Sequence, residues 1–158
     1  AVTSSPVLSA DGESVYLADV DGRLSAYKTS DGTAKWTYGA GFGASGTPSI
    51  SSDGSIVPTG GDAGVRSLRD EGDRATLEWE RNDLQQLGTP VHAADDTIVT
   101  VTGRGNELVI STVDANTGDT VADRPLPGAT GFTVGTSIGP DGQVVTSTYL
   151  GEIFTYSS

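Results

Sequence analysis

The chain has 158 residues and a formal net charge of −12, and it contains 22 Gly but no Cys and no Met. Its length predicts one domain, and its acidity disfavours binding to nucleic-acid phosphates or to an anionic membrane surface. The absence of Cys excludes disulfides and thiol chemistry, and no apolar run reaches the roughly 20 residues that a membrane-spanning helix requires.

The N-terminal quarter of the chain predicts a four-stranded antiparallel sheet. Four β-prone runs lie at Ser5–Ser9, Ser14–Ala18, Arg23–Tyr27 and Ala34–Tyr38. The gaps between them contain Asp-Gly pairs, at residues 11–12, 21–22 and 31–32. Such a pair favours a tight turn, because Asp accepts a hydrogen bond from a nearby backbone N–H and Gly tolerates positive φ. We therefore predict a meander in which each Asp-Gly pair forms a turn.

This unit is repeated along the chain. Four similar phrases begin at Ser4, Gly46, Gly88 and Gly135, and Pro6, Pro48 and Pro90 fall in the same slot, 42 residues apart. A four-stranded antiparallel sheet repeated at such intervals is typical of the blades of a β-propeller. We therefore predict an all-β propeller with blades at about residues 4–43, 44–86, 87–133 and 134–158. The last blade ends before its outer strand.

The outer part of the first unit resembles the tryptophan-bearing motif of the PQQ-like, or quinoprotein-type, propeller repeat. That motif reads Ala-x-Asp-x-x-Thr-Gly-Lys-x-x-Trp, and the stretch AYKTSDGTAKW matches it at Ala26, Gly32 and Trp36. The third unit matches it at Gly118 but has Ala122 in place of the Trp. The resemblance extends over nearly the whole chain.

The resemblance implies structural roles for these residues. In this family the Trp packs between neighbouring blades, and the Thr-Gly turn tightens the outer hairpin. It therefore implies that Trp36 and Trp79 are core residues, although the second unit reaches its Trp after a longer turn. It also implies that Gly32 and Gly118 shape the outer turns.

Four blades account for the whole chain, whereas propellers of this family usually have seven or eight. An open arc of four blades would leave an apolar face bare on the first blade and on the last. We therefore expect these residues to be part of a larger propeller, completed by further residues of the same gene or by a second chain. Closure as a four-bladed ring is the alternative.

The usual constellations of catalytic and quinone-binding residues are missing from the sequence, although a Ser–His–Asp triad is arithmetically possible without the Gly-x-Ser-x-Gly elbow that would support it. Quinoprotein dehydrogenases hold their quinone between a Trp and two adjacent cysteines beside a calcium ion, and this chain has no Cys. The one His, His92, cannot form a metal cluster, and DVDG at residues 19–22 lacks the acidic residue that completes a calcium loop. The acid pairs Asp70–Glu71 and Asp95–Asp96 are predicted to be solvated turn residues. We predict no catalytic residue, no metal and no cofactor, so a non-enzymatic role is favoured.

The loops between the second and third strands, together with the connections between blades, are predicted to form one broad contact face. Aromatic side chains flanked by charges are typical of protein or carbohydrate contact surfaces. For the two Phe residues the alternative is packing beneath their own loops. The candidate residues are Asp19, Asp21, Phe42, Asp62, Arg104, Phe132 and Tyr149.

The sequence therefore favours a non-catalytic scaffold module outside the cytoplasm that binds a protein or carbohydrate partner. The alternative is half of a quinoprotein-type dehydrogenase, or of a kinase-linked sensor, whose chemistry lies outside this chain.

Overall fold

Four antiparallel sheets follow one another along the chain in the computed structural model, which describes residues 1–2, 4–41, 46–59, 61–130 and 133–157. The first sheet contains β1 (Val7–Leu8), β2 (Ser14–Ala18), β3 (Arg23–Lys28) and β4 (Ala34–Gly39). The second contains β5 (Ser49–Ile50), β6 (Ser55–Val57), β7 (Val65–Asp70) and β8 (Ala75–Arg81), with a 3-10 turn at Gly61–Ala63. In both sheets the strands pair in chain order, so each sheet is a meander.

The third and fourth sheets vary this pattern. The third contains β9 (Gln85–Gln86), β10 (Val91–His92), β11 (Thr97–Arg104), β12 (Glu107–Asp114) and β13 (Thr120–Leu126). Both β9 and β10 pair with β11, so the innermost strand of this sheet is in two pieces and the chain enters the sheet at Gln85. The fourth sheet contains β14 (Thr133–Ile138), β15 (Val144–Thr148) and β16 (Ile153–Tyr156).

These sheets confirm the predicted all-β propeller of four blades, of which the last, in the described part of the chain, has three strands. The innermost strand of the first blade is shorter than the sequence predicts, since β1 covers Val7–Leu8 instead of Ser5–Ser9. None of the helices in the described ranges is long and apolar enough to cross a membrane.

The Asp-Gly pairs of the first blade form turns, as predicted. The carboxylates of Asp11 and Asp31 each accept a hydrogen bond from the backbone N–H two residues further on, at 3.0 and 2.9 Å. In the middle turn Asp19 performs this task instead of Asp21, since its Oδ1 accepts the Asp21 N–H at 3.0 Å. The turn therefore begins two residues before the Asp-Gly pair.

Apolar clusters fill the contacts between consecutive blades, which we name the first, second and third junctions. Each cluster combines side chains from the sheets on both of its sides. At the third junction the buried members come from blade 3, and blade 4 adds the partly buried Ile138, Val144, Phe154 and Tyr156. The buried residues are Tyr16, Leu24, Ala26, Trp36, Ala40, Ile56 and Leu68 at the first junction; Val57, Val65, Leu84, Ile98 and Val113 at the second; and Val99, Val101, Leu108, Ile110 and Leu126 at the third.

The outward faces of the first and last blades are not covered in this way. Across the described ranges, no apolar cluster joins blade 4 to blade 1. Leu8 on blade 1 is 57% exposed, and Ile153 on blade 4 is 72% exposed. A blade face is therefore buried only where another blade packs against it, and the outward faces of blades 1 and 4 stay exposed.

Trp36 and Asp70 form the main polar contact of the first junction. Trp36 is 7% exposed, and its Nε1 donates a hydrogen bond to Asp70 Oδ1 at 2.7 Å. Asp70 also accepts hydrogen bonds from Lys35 Nζ at 2.8 Å and from the Tyr16 hydroxyl at 3.1 Å. Burial opposes ionisation of Asp70, but the bonds from Lys35, Trp36, Gly72 and Tyr16 together hold its pKa below the usual range.

Asp70 is therefore not the solvated turn residue that the sequence predicts. Its side chain is only 11% exposed, and it accepts hydrogen bonds from residues of the preceding blade. The prediction is wrong because the side chains that donate to this carboxylate lie 34 to 56 positions earlier in the chain.

Trp79 holds the equivalent place at the second junction, with different partners. It is partly buried, and its Nε1 donates to the carbonyl oxygen of Ala115 at 2.8 Å. The indole lies directly over Gly118, where a Cβ would come within 2.6 Å of the ring. Gly118 also has a φ of +76°, so the turn requires glycine for its conformation and for its contact with the indole.

Trp36→Ala is expected to lower the free energy of unfolding by about 3–5 kcal/mol, because it removes a buried indole and a donor to a buried carboxylate. Trp79→Ala is expected to cost less, about 2–3 kcal/mol, since this indole is only partly buried. Urea unfolding followed by circular dichroism measures both, with the exposed Val121→Ala as control. Unchanged midpoints in both Trp variants would contradict a core role for the indoles.

Gly32 and Gly118 occupy equivalent turns with φ values of +74° and +76°, but only Gly118 touches an indole. Replacing either by Ala is expected to cost about 1 kcal/mol, because a Cβ disfavours this left-handed conformation. Gly118→Ala is expected to cost about 1–3 kcal/mol more through overpacking. Urea unfolding of the two variants side by side tests this, and equal losses would show that the indole moves away freely.

Candidate partner-binding surface

The hairpin loops between the second and third strands of all four blades lie at one end of the propeller, which we name the loop face. Their described residues are 19–22, 58–59, 61–64, 105–106 and 149–152. Each blade contributes at least one of the predicted contact residues to this end: Asp19, Asp21, Asp62, Arg104 and Tyr149. The other two candidates, Phe42 and Phe132, lie outside the described residues.

One cation holds both acidic candidates of blade 1. Arg23 Nη2 lies 2.9 Å from Asp19 Oδ2 and 2.8 Å from Asp21 Oδ2. Partial burial of Asp19 opposes its ionisation, but hydrogen bonds from the backbone and side chain of Arg23 outweigh this and lower its pKa. This loop therefore presents two carboxylates and one guanidinium in fixed positions. Their net charge is −1.

Asp62 lies next to the chain that connects blade 1 to blade 2. It is exposed and belongs to the 3-10 turn at Gly61–Ala63. A Cβ at Gly41 would lie 3.1 Å from Asp62 Oδ1 and 2.3 Å from the Ala63 Cβ. The absence of a side chain at Gly41 therefore lets the chain pass directly against this turn of the loop face.

Arg104, at the end of β11, is fixed along the side of blade 3. Its Nη2 lies 2.7 Å from Asp123 Oδ2, and Asp123 also accepts a hydrogen bond from the Ser111 hydroxyl at 2.9 Å. The guanidinium is therefore drawn towards the outer strand β13. A contact between Arg104 and a partner would involve this ion pair as a unit.

Apolar side chains at the loop face lie mainly on blade 4. Tyr149 is 55% exposed and its neighbour Leu150 is 59% exposed. Glu152 supports their hairpin, because it accepts hydrogen bonds from the Thr148 hydroxyl at 2.8 Å and from the Thr130 N–H at 3.2 Å. Leu150 is not among the residues predicted to contact a partner, although its position before Gly151 in a hairpin loop is a signal of exposure.

The opposite end of the propeller, which we name the turn face, has a groove at each of the three junctions. The groove at the second junction is the largest, with a volume of about 720 Å³, and the groove at the third has about 390 Å³. The sequence does not predict these grooves, since each is formed by turns of two different blades. The polar residues of the second groove are Ser51, Ser52, Asp53, Ser55, His92, Asp96 and Asn116.

His92 connects the innermost strands of blades 2 and 3. Its Nδ1 lies 2.9 Å from Ser49 Oγ, and its backbone N–H donates to the same oxygen at 3.0 Å. Because Ser49 Oγ accepts that N–H, its own proton is free to point at Nδ1. Burial lowers the pKa of His92, although the negative charge of Asp53 opposes the shift. The ring is therefore held neutral at physiological pH.

The described residues contain no cluster of three His, Asp or Glu side chains placed to hold a metal ion. Ser49 and His92 have the contact of a nucleophile and base, but none of the described residues bonds to the buried Nε2 of His92 and orients the ring. What the described surface offers instead is a loop face of fixed charges and exposed apolar side chains, together with grooves between blades.

Comparison with known proteins assigns a family to this arrangement. Residues 1–157 match a family model described as outer membrane protein assembly factor BamB. The chain is 41% identical over 162 residues to Protein Rv3035 of Mycobacterium tuberculosis, a match that covers 99% of this chain and 39% of that protein. The chain therefore spans about two-fifths of the length of this curated relative.

Solved structures share the fold at low sequence identity. BamB from Moraxella catarrhalis superposes with a TM-score of 0.73 at 15% identity, over 99% of this chain and 46% of that one. The β-propeller domain of Cps50 (Swd1) from Myceliophteria thermophila gives 0.74 at 16% identity, over 99% and 53%. The computationally designed protein Ika4 gives 0.71 at 14% identity, over 99% and 91%.

The lowered pKa of His92 makes stability depend on pH. Because the unfolded chain binds a proton near pH 6.5 and the folded chain only at lower pH, the free energy of unfolding should fall as pH drops below about 6.5, by at most about 1.4 kcal/mol per pH unit. Urea unfolding at pH 7.5, 6 and 5 measures this. His92→Asn should flatten the dependence, and an equal slope in wild type and variant would contradict it.

Proposed function

Because the chain belongs to the family of the outer membrane protein assembly factor BamB, we propose that it is a non-catalytic propeller module that binds other proteins outside the cytoplasm. The observation that carries this proposal is the family match over residues 1–157. The family description names assembly, which requires contacts between polypeptides. It also names the outer membrane, which supports the proposed location.

The loop face supports the protein-binding part of the proposal. The ion pairs of Arg23 and Arg104 fix its charged side chains before any partner arrives, so less conformational entropy is lost on binding. Tyr149 and Leu150 add exposed apolar area at one side of the same surface. An apolar contact within a polar rim is the usual composition of a protein interface.

A partner is expected to make its strongest contact at the blade 4 hairpin. Interface energy is concentrated in a few residues, among which Tyr is over-represented. On the described loop face Tyr149 combines this chemistry with exposure above one half, and the neighbouring Leu150 adds exposed apolar area beside it. We therefore assign the centre of the contact to the blade 4 hairpin, and its charged rim to Asp19, Asp21, Asp62 and Arg104.

Site-specific photo-crosslinking in cells tests this function. Mycobacterial cells are used because the 41%-identical relative comes from Mycobacterium tuberculosis. A photoreactive phenylalanine analogue at position 149 or 62 is expected to give adducts with a defined polypeptide, whereas the same analogue at Val121, on the outer strand of blade 3, is not. Leu150→Asp should reduce the adduct from position 62 about tenfold, as expected for the loss of a residue worth 1–2 kcal/mol.

The same experiment can overturn the proposal. Adducts at positions 149 and 62 that do not exceed those at position 121, or that Leu150→Asp leaves unchanged, would show that the loop face does not bind a protein. Circular dichroism of each variant establishes that the fold is retained.

A further inference from the structure

The third junction lacks the indole that fills the other two. In blade 1 Trp36 lies opposite Ala26 on the neighbouring strand, and in blade 2 Trp79 lies opposite Ser67. The same register in blade 3 places Ala122 opposite Thr112. Ala122 therefore occupies the position of the two tryptophans.

The groove of about 390 Å³ at the third junction lies at this position. Ala122 and Thr112 form part of its wall, and most of the remaining wall is apolar. Blade 4 supplies the opposite wall with side chains whose registers match those that blade 2 supplies around Trp36. These are Ile138, Val144 and Tyr156, which correspond to Ile50, Ile56 and Leu68.

The rim of the groove carries groups that suit an aromatic ring. Arg124 lies two residues after Ala122, and its guanidinium forms no ion pair with any described residue. A guanidinium free of a carboxylate can stack on an aromatic face. On the other side Asp95 accepts a hydrogen bond from the Thr97 hydroxyl at 2.6 Å and retains lone pairs for a second donor. At the first junction a carboxylate is likewise the acceptor of the indole N–H, since Trp36 donates to Asp70.

We propose that the groove at the third junction binds a tryptophan side chain of a partner protein. The inserted indole would lie where Trp36 and Trp79 lie at the other junctions, between an apolar wall from blade 4 and the guanidinium of Arg124. A tryptophan is the expected occupant because two equivalent junctions of the same molecule already hold this side chain. The inference rests on the proposed protein-binding role and adds a second contact on the turn face.

Titration of the isotope-labelled 158-residue chain with N-acetyl-tryptophanamide, followed by amide NMR spectra, tests the proposal. We expect saturable shifts at Ala122, Thr112 and Ile138 with a dissociation constant of about 1 mM, as a single side chain without a peptide should give. N-acetyl-alaninamide is the matched ligand control and should give no saturable shift.

Two variants at adjacent positions sharpen the test. Ala122→Trp fills the groove with the chain's own indole and should weaken binding of the probe at least tenfold while raising the thermal midpoint. Val121→Trp places the same side chain on the exposed face of the strand and should leave binding unchanged. Ala122→Phe serves in place of Ala122→Trp if the larger residue prevents folding.

Specific outcomes would overturn the inference. One is the absence of saturable shifts around Ala122, and another is equal binding by wild type and by the filled variants. Shifts of the groove amides that depend on protein concentration without any probe would identify a second copy as the occupant. Loop-face adducts that persist in Ala122→Trp would leave the proposed function intact, so the two failures are distinguishable.

Discussion

The structure depends on one constraint: a blade is apolar on both faces and cannot bury either face alone. The innermost strands of the first two blades contain two residues each, so they contribute few backbone hydrogen bonds. Stability therefore comes mainly from the junctions, where Trp36 and Trp79 reach into the next blade and donate to groups that it supplies. The outward faces of blades 1 and 4 have no neighbouring blade to cover them. Ile153, the most exposed large apolar residue in the described part of the fourth sheet, lies on one of these faces.

The two ends of the propeller differ in the contacts that their described residues make. At the loop face, hairpins of single blades carry short-range ion pairs such as Arg23 with Asp19. At the turn face, turns of neighbouring blades meet across grooves, so the residues that line a groove come from distant parts of the chain. A partner that contacts both ends would be sensitive to how two blades are placed relative to each other.

Much of the fold could be predicted because each blade is specified by short stretches of neighbouring residues. Alternating β-prone runs and Asp-Gly pairs identify a meander, and the spacing of Pro6, Pro48 and Pro90 identifies its repetition. Contacts between blades could not be predicted in the same way. Asp70 is predicted from the sequence to be a solvated turn residue, because no residue near it in sequence indicates that Lys35, Trp36 and Tyr16 donate hydrogen bonds to it. The replacement of a Trp by Ala122 is visible in the sequence, but the groove that follows from it, with Arg124 at the rim, depends on side chains of blade 4.

The different acceptors of the two indoles have a consequence for folding. Blades with similar sequences can pair with the wrong neighbour while the chain is still searching, a common failure of repeat proteins. Here Trp36 requires a carboxylate and Trp79 a backbone carbonyl beside a glycine. If blade 1 met blade 3 instead of blade 2, the Asp70 carboxylate would lose its donors from Lys35 and Trp36. Because the first and second junctions differ in the acceptor of the indole, assemblies with the blades in a wrong order are less stable than the native order.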